Sequence, residues 1–352
     1  MQSLSLRSLL AASLMLAAPQ FVTLGAQGAE RFTLRGDRVS IWNLAGRAVI
    51  EPTSGSEVVV EVTRGGEDGA RLTVESNNDR LVVRYPDRDI VYREARSSRY
   101  EVRLSVDRDG TFEAGYDDSS DGRDVRVRSS GSGFEGHADL RILVPRGQRV
   151  RLMLGVGEID ANNVDGELEL STRVTDVTTT RTKGRLSART GSGRVVIERA
   201  EGDVSASAGS GSVELREVTG REVRASTGSG EIAGYGVTTD RFEASTGSGG
   251  VRVERLTSAD IRASAGSGSI RLELAKLGDA VIRAGSGGVS LTLPNEVNVE
   301  VDISTGSGGI TTDFPVTMED VRRRQLRGRI GTGADGRVRI NTGSGSVRLI
   351  KR

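Results

Sequence analysis

Composition and charge exclude several classes of function for this chain of 352 residues. Glycine accounts for 47 residues, and the aromatic residues are one Trp, five Tyr and six Phe, so a thick aromatic core is not expected. The 49 Lys and Arg residues balance 48 Asp and Glu residues, whereas nucleic-acid modules usually carry a clear positive excess. The absence of cysteine excludes disulfides, thiol catalysis and cysteine-ligated metal centres, and the single histidine, His137, argues against a histidine-ligated one.

Residues 1–28 have the order of a secretory signal peptide. Arg7 supplies the positive charge, Leu9–Ala18 is the apolar run, and small residues follow. The apolar run is shorter than the roughly 20 residues that span a bilayer as a helix, and no later stretch reaches that length. Cleavage after Ala26 and cleavage after Gly28 both fit. We therefore expect export to the periplasm, the cell surface or the medium, with no transmembrane segment.

Residues 29–154 are predicted to be an irregular β-rich part. Apolar and polar residues alternate through Arg38–Val62, as in a pair of strands with a long connection. Further strands are predicted at Leu72–Glu75, Leu81–Tyr85 and Asp139–Val144. From 86 to 136 the alternation decays into Arg, Asp, Ser and Gly, which predicts a polar insert in the form of a loop or hairpin.

A repeat of 18 to 21 residues organises residues 155–352. Its marker, Gly-Ser-Gly, begins at Gly191, Gly209, Gly228, Gly247, Gly266, Gly285 and Gly306. Degenerate copies stand at Gly155 and Arg173, and a last copy, Thr342–Leu349, closes the chain. Within each unit, apolar residues alternate with polar ones on both sides of a turn, a pattern that is typical of half-buried β-strands.

A unit of about 19 residues with two short strands cannot bury its apolar face alone, so successive units must stack. The fold predicted is all-β, a β-solenoid in one continuous domain over 38–350, in which each unit forms one rung. Ser210, Ser229 and Ser248 should form a column at one corner, beside glycines that supply positive φ. An up-and-down sandwich of the same strands is the alternative. The strict alternation of Val, Ile and Leu excludes a flexible Gly-Ser linker.

Motifs for catalysis and metal binding are incomplete in this sequence. Asp117–Gly122 has the oxygens that open a calcium loop, but Arg128 stands where the bidentate Glu is needed, which favours a solvated acidic loop. The glycine clusters precede strands rather than the helix that a phosphate loop requires. No Gly-x-Ser-x-Gly elbow is present, and His137 is expected on an exposed loop. We therefore predict no catalytic residue, no cofactor and no metal site.

One run of positive charge is a candidate anionic-ligand patch, formed by Arg322, Arg323, Arg324, Arg327 and Arg329. It could bind an acidic polymer, lipopolysaccharide phosphates or an anionic membrane surface. The alternative is a solvated connection, since single charge runs are usually solvated faces. Pro315 and these charges also suit a C-terminal cap that blocks strand addition, which would keep the protein monomeric or weakly self-associating.

Several motifs together resemble one known family. They are Val39–Gly46, Val144–Gly147, the serial Gly-Ser-Gly units, Thr312–Pro315, Gly328–Gly331 and Thr342–Leu349. With these motifs the chain resembles the bacterial putative-adhesin family of β-strand-repeat proteins, a domain of unknown function. The resemblance covers about residues 38–350 and implies a β-solenoid in the cell envelope, with no catalytic residues. The insert 86–136 and the unit at Arg173 depart from the family pattern.

Three functions fit the sequence. The first is a non-enzymatic envelope protein, an adhesin or binding scaffold that presents an extended surface to an envelope polysaccharide or a surface protein. The second is a self-assembling structural element of the envelope. The third is a polysaccharide-acting enzyme, since some β-helices cleave glycans with carboxylates on one face. Against the third, the outward positions are mostly Arg, Ser and Thr, without recurring carboxylate pairs.

Overall fold

The computed structural model describes residues 23–24, 28–95, 99–113, 122–322, 324–332 and 336–352, without the side chains of 23–24 and 319–322. Most of the predicted signal peptide therefore lies outside the described residues. Residues 117–121 of the calcium-like loop lie outside them too.

The described N-terminal part consists of strands and one short 3-10 helix, Gly69–Arg71. Its strands are β1 Thr23–Leu24, β2 Glu30–Leu34, β3 Arg38–Ala45, β4 Ala48–Thr53, β5 Val58–Gly65, β6 Thr73–Ser76, β7 Arg80–Arg84, β8 Asp89–Val91, β9 Glu101–Val106, β10 Arg123–Arg128, β11 His137–Pro145 and β12 Gln148–Val156. These bounds confirm the strands predicted at Leu72–Glu75, Leu81–Tyr85 and Asp139–Val144 to within two residues.

The repeat region is a regular succession of strands. They are β13 Ile159–Asn162, β14 Gly166–Val174, β15 Val177–Thr180, β16 Leu186–Thr190, β17 Val195–Glu198, β18 Val204–Ala208, β19 Val213–Arg216, β20 Thr219–Thr227, β21 Ile232–Tyr235, β22 Thr238–Thr246, β23 Val251–Ala265, β24 Ile270–Lys276, β25 Asp279–Ala284 and β26 Val289–Leu293. The last strands are β27 Val299–Thr305, β28 Ile310–Thr312, β29 Val316–Arg322, β30 Gln325–Ile330, β31 Arg337–Thr342 and β32 Val347–Lys351.

These strands form two long sheets that enclose one apolar interior. The first sheet has the order β6-β7-β3-β12-β14-β16-β18-β20-β22-β23-β25-β31-β27-β30-β29. The second has the order β1-β2-β5-β11-β4-β13-β15-β17-β19-β21-β23-β24-β26-β32-β28. The long strand β23 belongs to both sheets, because it runs through the turn that elsewhere separates them.

Equivalent strands of successive rungs pair in parallel, which confirms the β-solenoid. Leu186 pairs with Val204, Val204 with Val223, and Val223 with Phe242. All four side chains are buried, while the next residue along each of the four strands is half-buried or exposed on the outward face. Consecutive strands of an up-and-down sandwich would pair antiparallel, so the parallel pairing excludes that alternative.

The corner glycines have a different role from the one that the sequence suggested. The glycines of the Gly-Ser-Gly corners do not have positive φ. A Cβ added at Gly230 would lie under 3.0 Å from the backbone of Gly211 in the preceding rung, and the other regular corners repeat this approach. Glycine is therefore required because neighbouring corners stack backbone on backbone. Positive φ recurs at the opposite turn, with values from 52° to 68° at Asn163, Arg181, Arg199, Glu217, Gly236 and Arg255.

A threonine before the corner ties neighbouring corners together. In one rung, Thr227 Oγ1 donates to the carbonyl of Gly211 at 2.7 Å and accepts from the N–H of Gly230 at 3.1 Å. Thr246 makes the same pair of bonds one rung further on. Because Thr227 is buried, losing its hydroxyl would leave a backbone donor and a backbone acceptor without this partner.

Replacing Thr227 with valine should lower the free energy of unfolding by about 2 kcal/mol, because the shape is kept while two buried backbone groups lose their partner. Chemical denaturation measures the change. Thr227→Ser keeps the hydroxyl and is the matched control, with a smaller expected loss. Equal stability of the valine variant and the parent would mean that the hydroxyl makes no net contribution.

The last rungs do not stack in chain order, contrary to the prediction that successive units are neighbours. Strand β25 pairs with β31, and β31 pairs with β27. Strand β26 likewise pairs with β32, which pairs with β28. The C-terminal rung, formed by β31 and β32, thus lies between two rungs that precede it in sequence. The hairpin β29–β30 pairs antiparallel with β27 and flanks the final rung of the first sheet.

The polar insert is more ordered than the predicted loop or hairpin. Strands β8, β9 and β10 form a separate three-stranded sheet, in which β10 is parallel to β8 and antiparallel to β9. Ile90, Leu104, Val125 and Val127 are buried beneath its polar surface. The few apolar residues of the insert therefore suffice for a small sheet, since they pack against the solenoid rather than against one another alone.

The motif at Val39–Gly46 is explained by the packing of β11 against β3 and β4. The buried Asn43 donates from Nδ2 to the carbonyl of Ala138 at 2.7 Å and accepts from the hydroxyl of Tyr85 at 2.7 Å. Gly46 has a φ of 142°, and a Cβ there would collide with Ala138. Burial raises the pKa of Tyr85 far above its usual range, which keeps this hydroxyl protonated as a donor.

Candidate binding surface

A column of serines follows the outward face of the first sheet. Ser207, Ser226, Ser245 and Ser264 occupy the same position in four consecutive rungs and pair in register. Ser226 and Ser245 are exposed, and Ser264 Oγ donates to Ser245 Oγ at 3.1 Å. With adjacent strands about 4.8 Å apart, the column is an evenly spaced row of hydroxyl groups. The serines recur every 19 residues, so the repeat alone could have revealed the row.

The charged residues beside this column neutralise one another. Glu222, Arg241 and Asp260 are register partners in three successive rungs, and Arg241 Nε lies 3.2 Å from Asp260 Oδ2. Arg224 and Arg262 make ion pairs of 2.7 Å with Glu222 and 3.1 Å with Asp260. Exposed pairs of this kind contribute little to stability. In these three rungs the outward face is therefore polar and carries no excess of positive or negative charge.

The second sheet carries an aromatic side chain on its outward face. Tyr235 is 43% exposed at the end of β21, and its ring lies 5.1 Å beneath the guanidinium of Arg255. Arg255 Nη1 also donates to the Tyr235 hydroxyl at 2.8 Å. A held, exposed tyrosine offers both an apolar ring and a polar tip, a combination enriched at interfaces.

The arginines of the sequence-predicted patch lie on and around the hairpin β29–β30. Arg322 ends β29, Arg324 is exposed in the turn, and Arg327 and Arg329 are on β30. Arg323 and the side chain of Arg322 lie outside the described residues. Arg327 Nη2 is 3.1 Å from Asp302 Oδ2, and Arg329 is the register partner of Glu300. Two of the five arginines therefore stand beside acidic residues of β27, and the ligand patch remains a prediction.

His137 is buried rather than exposed on a loop as predicted. It begins β11, packs on Tyr92 with ring centroids 5.0 Å apart, and lies 3.5 Å from Glu94 Oε2. A ring nitrogen of His137 and one carboxylate oxygen each of Glu94 and Asp139 all lie within 4.8 Å of one another. The pairing of β11 with β5 and the return of the insert bring them together. Asp139 Oδ1 accepts from the N–H of Arg47 at 2.7 Å, which gives the carboxylate a structural contact.

The fold is thus a parallel β-solenoid with polar sheet faces. The sequence matches the family described as Toastrack DUF4097 over residues 70–349. The chain belongs to this family, which confirms the resemblance drawn from its motifs.

Two solved structures are similar at low identity. A putative cell adhesion protein from Clostridium sporogenes is 8% identical, with a TM-score of 0.23 and coverage of 92% of this chain and 99% of that one. A putative adhesin from Bacteroides fragilis is 11% identical, with a TM-score of 0.35 and coverage of 92% and 96%. No curated protein matches the chain. Within the described residues, the structure has no helix with the length and hydropathy needed to span a bilayer.

Proposed function

We propose that this protein is a non-enzymatic, exported binding protein of the cell envelope. It presents the outward face of its first sheet to an extended polymer, with an envelope polysaccharide as the favoured ligand and a surface protein as the alternative. Export is supported by the signal-like order of residues 1–28.

The serine column is the observation that carries this proposal. Ser207, Ser226, Ser245 and Ser264 repeat at the spacing of the strands, and each hydroxyl both donates and accepts hydrogen bonds. A polymer with repeating hydroxyl groups would meet similar partners in each of these four rungs. Many weak contacts along one chain then combine into useful affinity, since neighbouring contacts are effectively intramolecular.

The neutral character of the face supports a glycan over a polyanion such as a nucleic acid. Arg224, Arg241 and Arg262 beside the serines each pair with Glu222 or Asp260, and two exposed arginines, Arg189 and Arg283, lie in register at the two ends of the column. Binding that depends on hydroxyl contacts rather than on counterion release should change little with salt.

The test is a glycan and surface-protein array probed with residues 29–352. The variant Ser226→Glu with Ser245→Glu places two charges in the column and should weaken binding about 10-fold or more, equivalent to about 1.4 kcal/mol. The control, Ser290→Glu with Thr311→Glu, puts two charges on the second sheet, on the two strands that flank β32, and should bind like the parent.

Three outcomes would contradict the proposal. Equal binding by the two double variants would remove the serine column as the site. Turnover of a polysaccharide would favour the enzyme alternative. Concentration-dependent polymerisation in sedimentation, without binding to any array member, would favour the self-assembling element.

A further inference from the structure

A second polar site lies at the β6–β7 edge of the first sheet, where the chain leaves β7 and enters the insert. A cleft of about 990 Å³ opens between the edge strands β6–β7 and the paired ends of β9 and β10. Its charged lining consists of Arg71, Arg84, Arg88, Arg108, Arg123, Asp107 and Asp124. Five arginines and two acidic residues therefore line the cleft, and two of the arginines, Arg71 and Arg84, are paired with the carboxylates of Asp68 and Glu75.

The two walls of the cleft are tied to each other. Arg84 Nη1 donates to the carbonyl of Arg108 at 2.6 Å, and Arg80 makes an ion pair of 2.7 Å with Asp109. Gly110, with a φ of 83°, packs so closely that an added Cβ would lie 2.7 Å from Val82. These contacts hold the insert against β7, so the cleft is formed without a ligand.

Within the described residues, the side chain of Arg123 is held by a backbone carbonyl rather than by a carboxylate. Its Nη2 donates to the carbonyl of Tyr85 at 2.6 Å, whereas Arg71 and Arg84 each contact a carboxylate at 2.9 Å, of Asp68 and Glu75 respectively. Burial, and then the neighbouring charges of Arg88 and Arg84, lower the pKa of Arg123. Like charges held together raise the energy of the free protein, and an anion between them would relieve that repulsion.

We propose that this cleft binds a phosphate or carboxylate group carried by a saccharide. Guanidinium groups pair with both kinds of oxyanion through two parallel hydrogen bonds. The volume lies within the range of small-molecule sites, and Thr73 and Ser105 add hydroxyl groups to the lining. The cleft shares no residue with the serine column, so the test of this second site does not depend on the proposed function.

Isothermal titration of the purified chain with three sugars tests the proposal. Glucose 6-phosphate represents a phosphate source, trigalacturonate a carboxylate source, and maltotriose a neutral sugar. At least one acidic sugar should bind about 10-fold more tightly than maltotriose, a difference equivalent to about 1.4 kcal/mol, and added salt should weaken that binding. The tighter of the two acidic sugars identifies the source of the anion.

Variants locate the binding. Arg123→Gln and Arg88→Gln should each weaken binding of the acidic sugar about 10-fold, while Arg348→Gln, an exposed arginine on β32, should leave it unchanged. Arg123→Gln loses the hydrogen bond to Tyr85, which can lower its stability. Arg88 is exposed, so Arg88→Gln should fold like the parent and tests the site by itself. Equal affinities for all three sugars, or binding by Arg88→Gln that matches Arg348→Gln, would overturn the proposal.

Discussion

Replacing Gly230 with alanine should lower the free energy of unfolding by about 3 kcal/mol, because overpacking of a closely packed site costs about 1 to 3 kcal/mol and sometimes more. The new Cβ would lie under 3.0 Å from the carbonyl carbon and oxygen of Gly211 and 2.9 Å from the nitrogen of Ser212. All three are backbone atoms, held by the stacking of the rungs, and cannot move aside as a side chain would. Chemical denaturation measures the loss.

Gly309→Ala is the matched control, since Gly309 follows a corner of the same type and an added Cβ there meets nothing within 4 Å. Neither glycine has positive φ, so backbone strain does not separate the two variants. The control should gain about 0.4 to 1 kcal/mol, because alanine restricts the unfolded chain. Equal stabilities of the two variants would mean that the corners can separate at little cost.

A chain that ends at Thr332 should lose the integrity of its final rungs. This truncation removes β31 and β32, whose side chains Val338, Ile340, Val347 and Leu349 are at most 1% exposed. Burial of each such side chain contributes about 1.5 to 3 kcal/mol, so the loss is on the order of 6 kcal/mol or more. Hydrogen exchange should show that residues 299–312 lose protection, and the melting temperature should fall.

The control truncation ends at Ile350 and removes two residues with exposed side chains, Lys351 and Arg352, so its melting temperature should fall far less than that of the chain ending at Thr332. If the chain ending at Thr332 kept the parent's melting and its protection at 299–312, the rung 299–312 would stack directly on the rung 279–293, as chain order predicts.

Engineered disulfides test the rung order without truncation, since the chain has no cysteine. Ser290 and Arg348 are register partners, and Arg348 is also the partner of Thr311. Neighbouring strands lie about 4.8 Å apart, within disulfide range, whereas Ser290 and Thr311 are roughly 9.6 Å apart across two strand spacings. Cysteines at 290 and 348 should cross-link, and cysteines at 290 and 311 should not. The reverse pattern would establish stacking in chain order.

The solenoid could be predicted from sequence because its signals are local and repeated. Alternation at Val204–Ala208 and Val223–Thr227 defines strands whose inward faces are apolar, and a period near 19 residues leaves stacking as the way to bury them. The column Ser207, Ser226, Ser245 and Ser264 follows from the same period. The stacked strands and the serine column can therefore be predicted from the sequence of one repeat unit and from the length of the repeat.

The role of the corner glycines depended on contacts between rungs. From the sequence, Gly228 and Gly230 could serve a turn with positive φ or a close approach of two chains, and both interpretations require glycine. The structure decides for the close approach, since the nearest atoms belong to Gly209 and Gly211 of the neighbouring rung.

Only the tertiary structure decided the order of the last rungs, the burial of His137 and the arginine cleft. Parallel strands pair through their backbones, so β27 and β31 present similar partners to β25, and nothing local to either strand selects between them. His137 meets Glu94 and Asp139 only when the insert folds back beside β5 and β11. The cleft likewise gathers arginines as far apart in sequence as Arg71 and Arg123. Alternation of side chains within a strand reports which face is buried, and it carries no information about which distant segment covers that face.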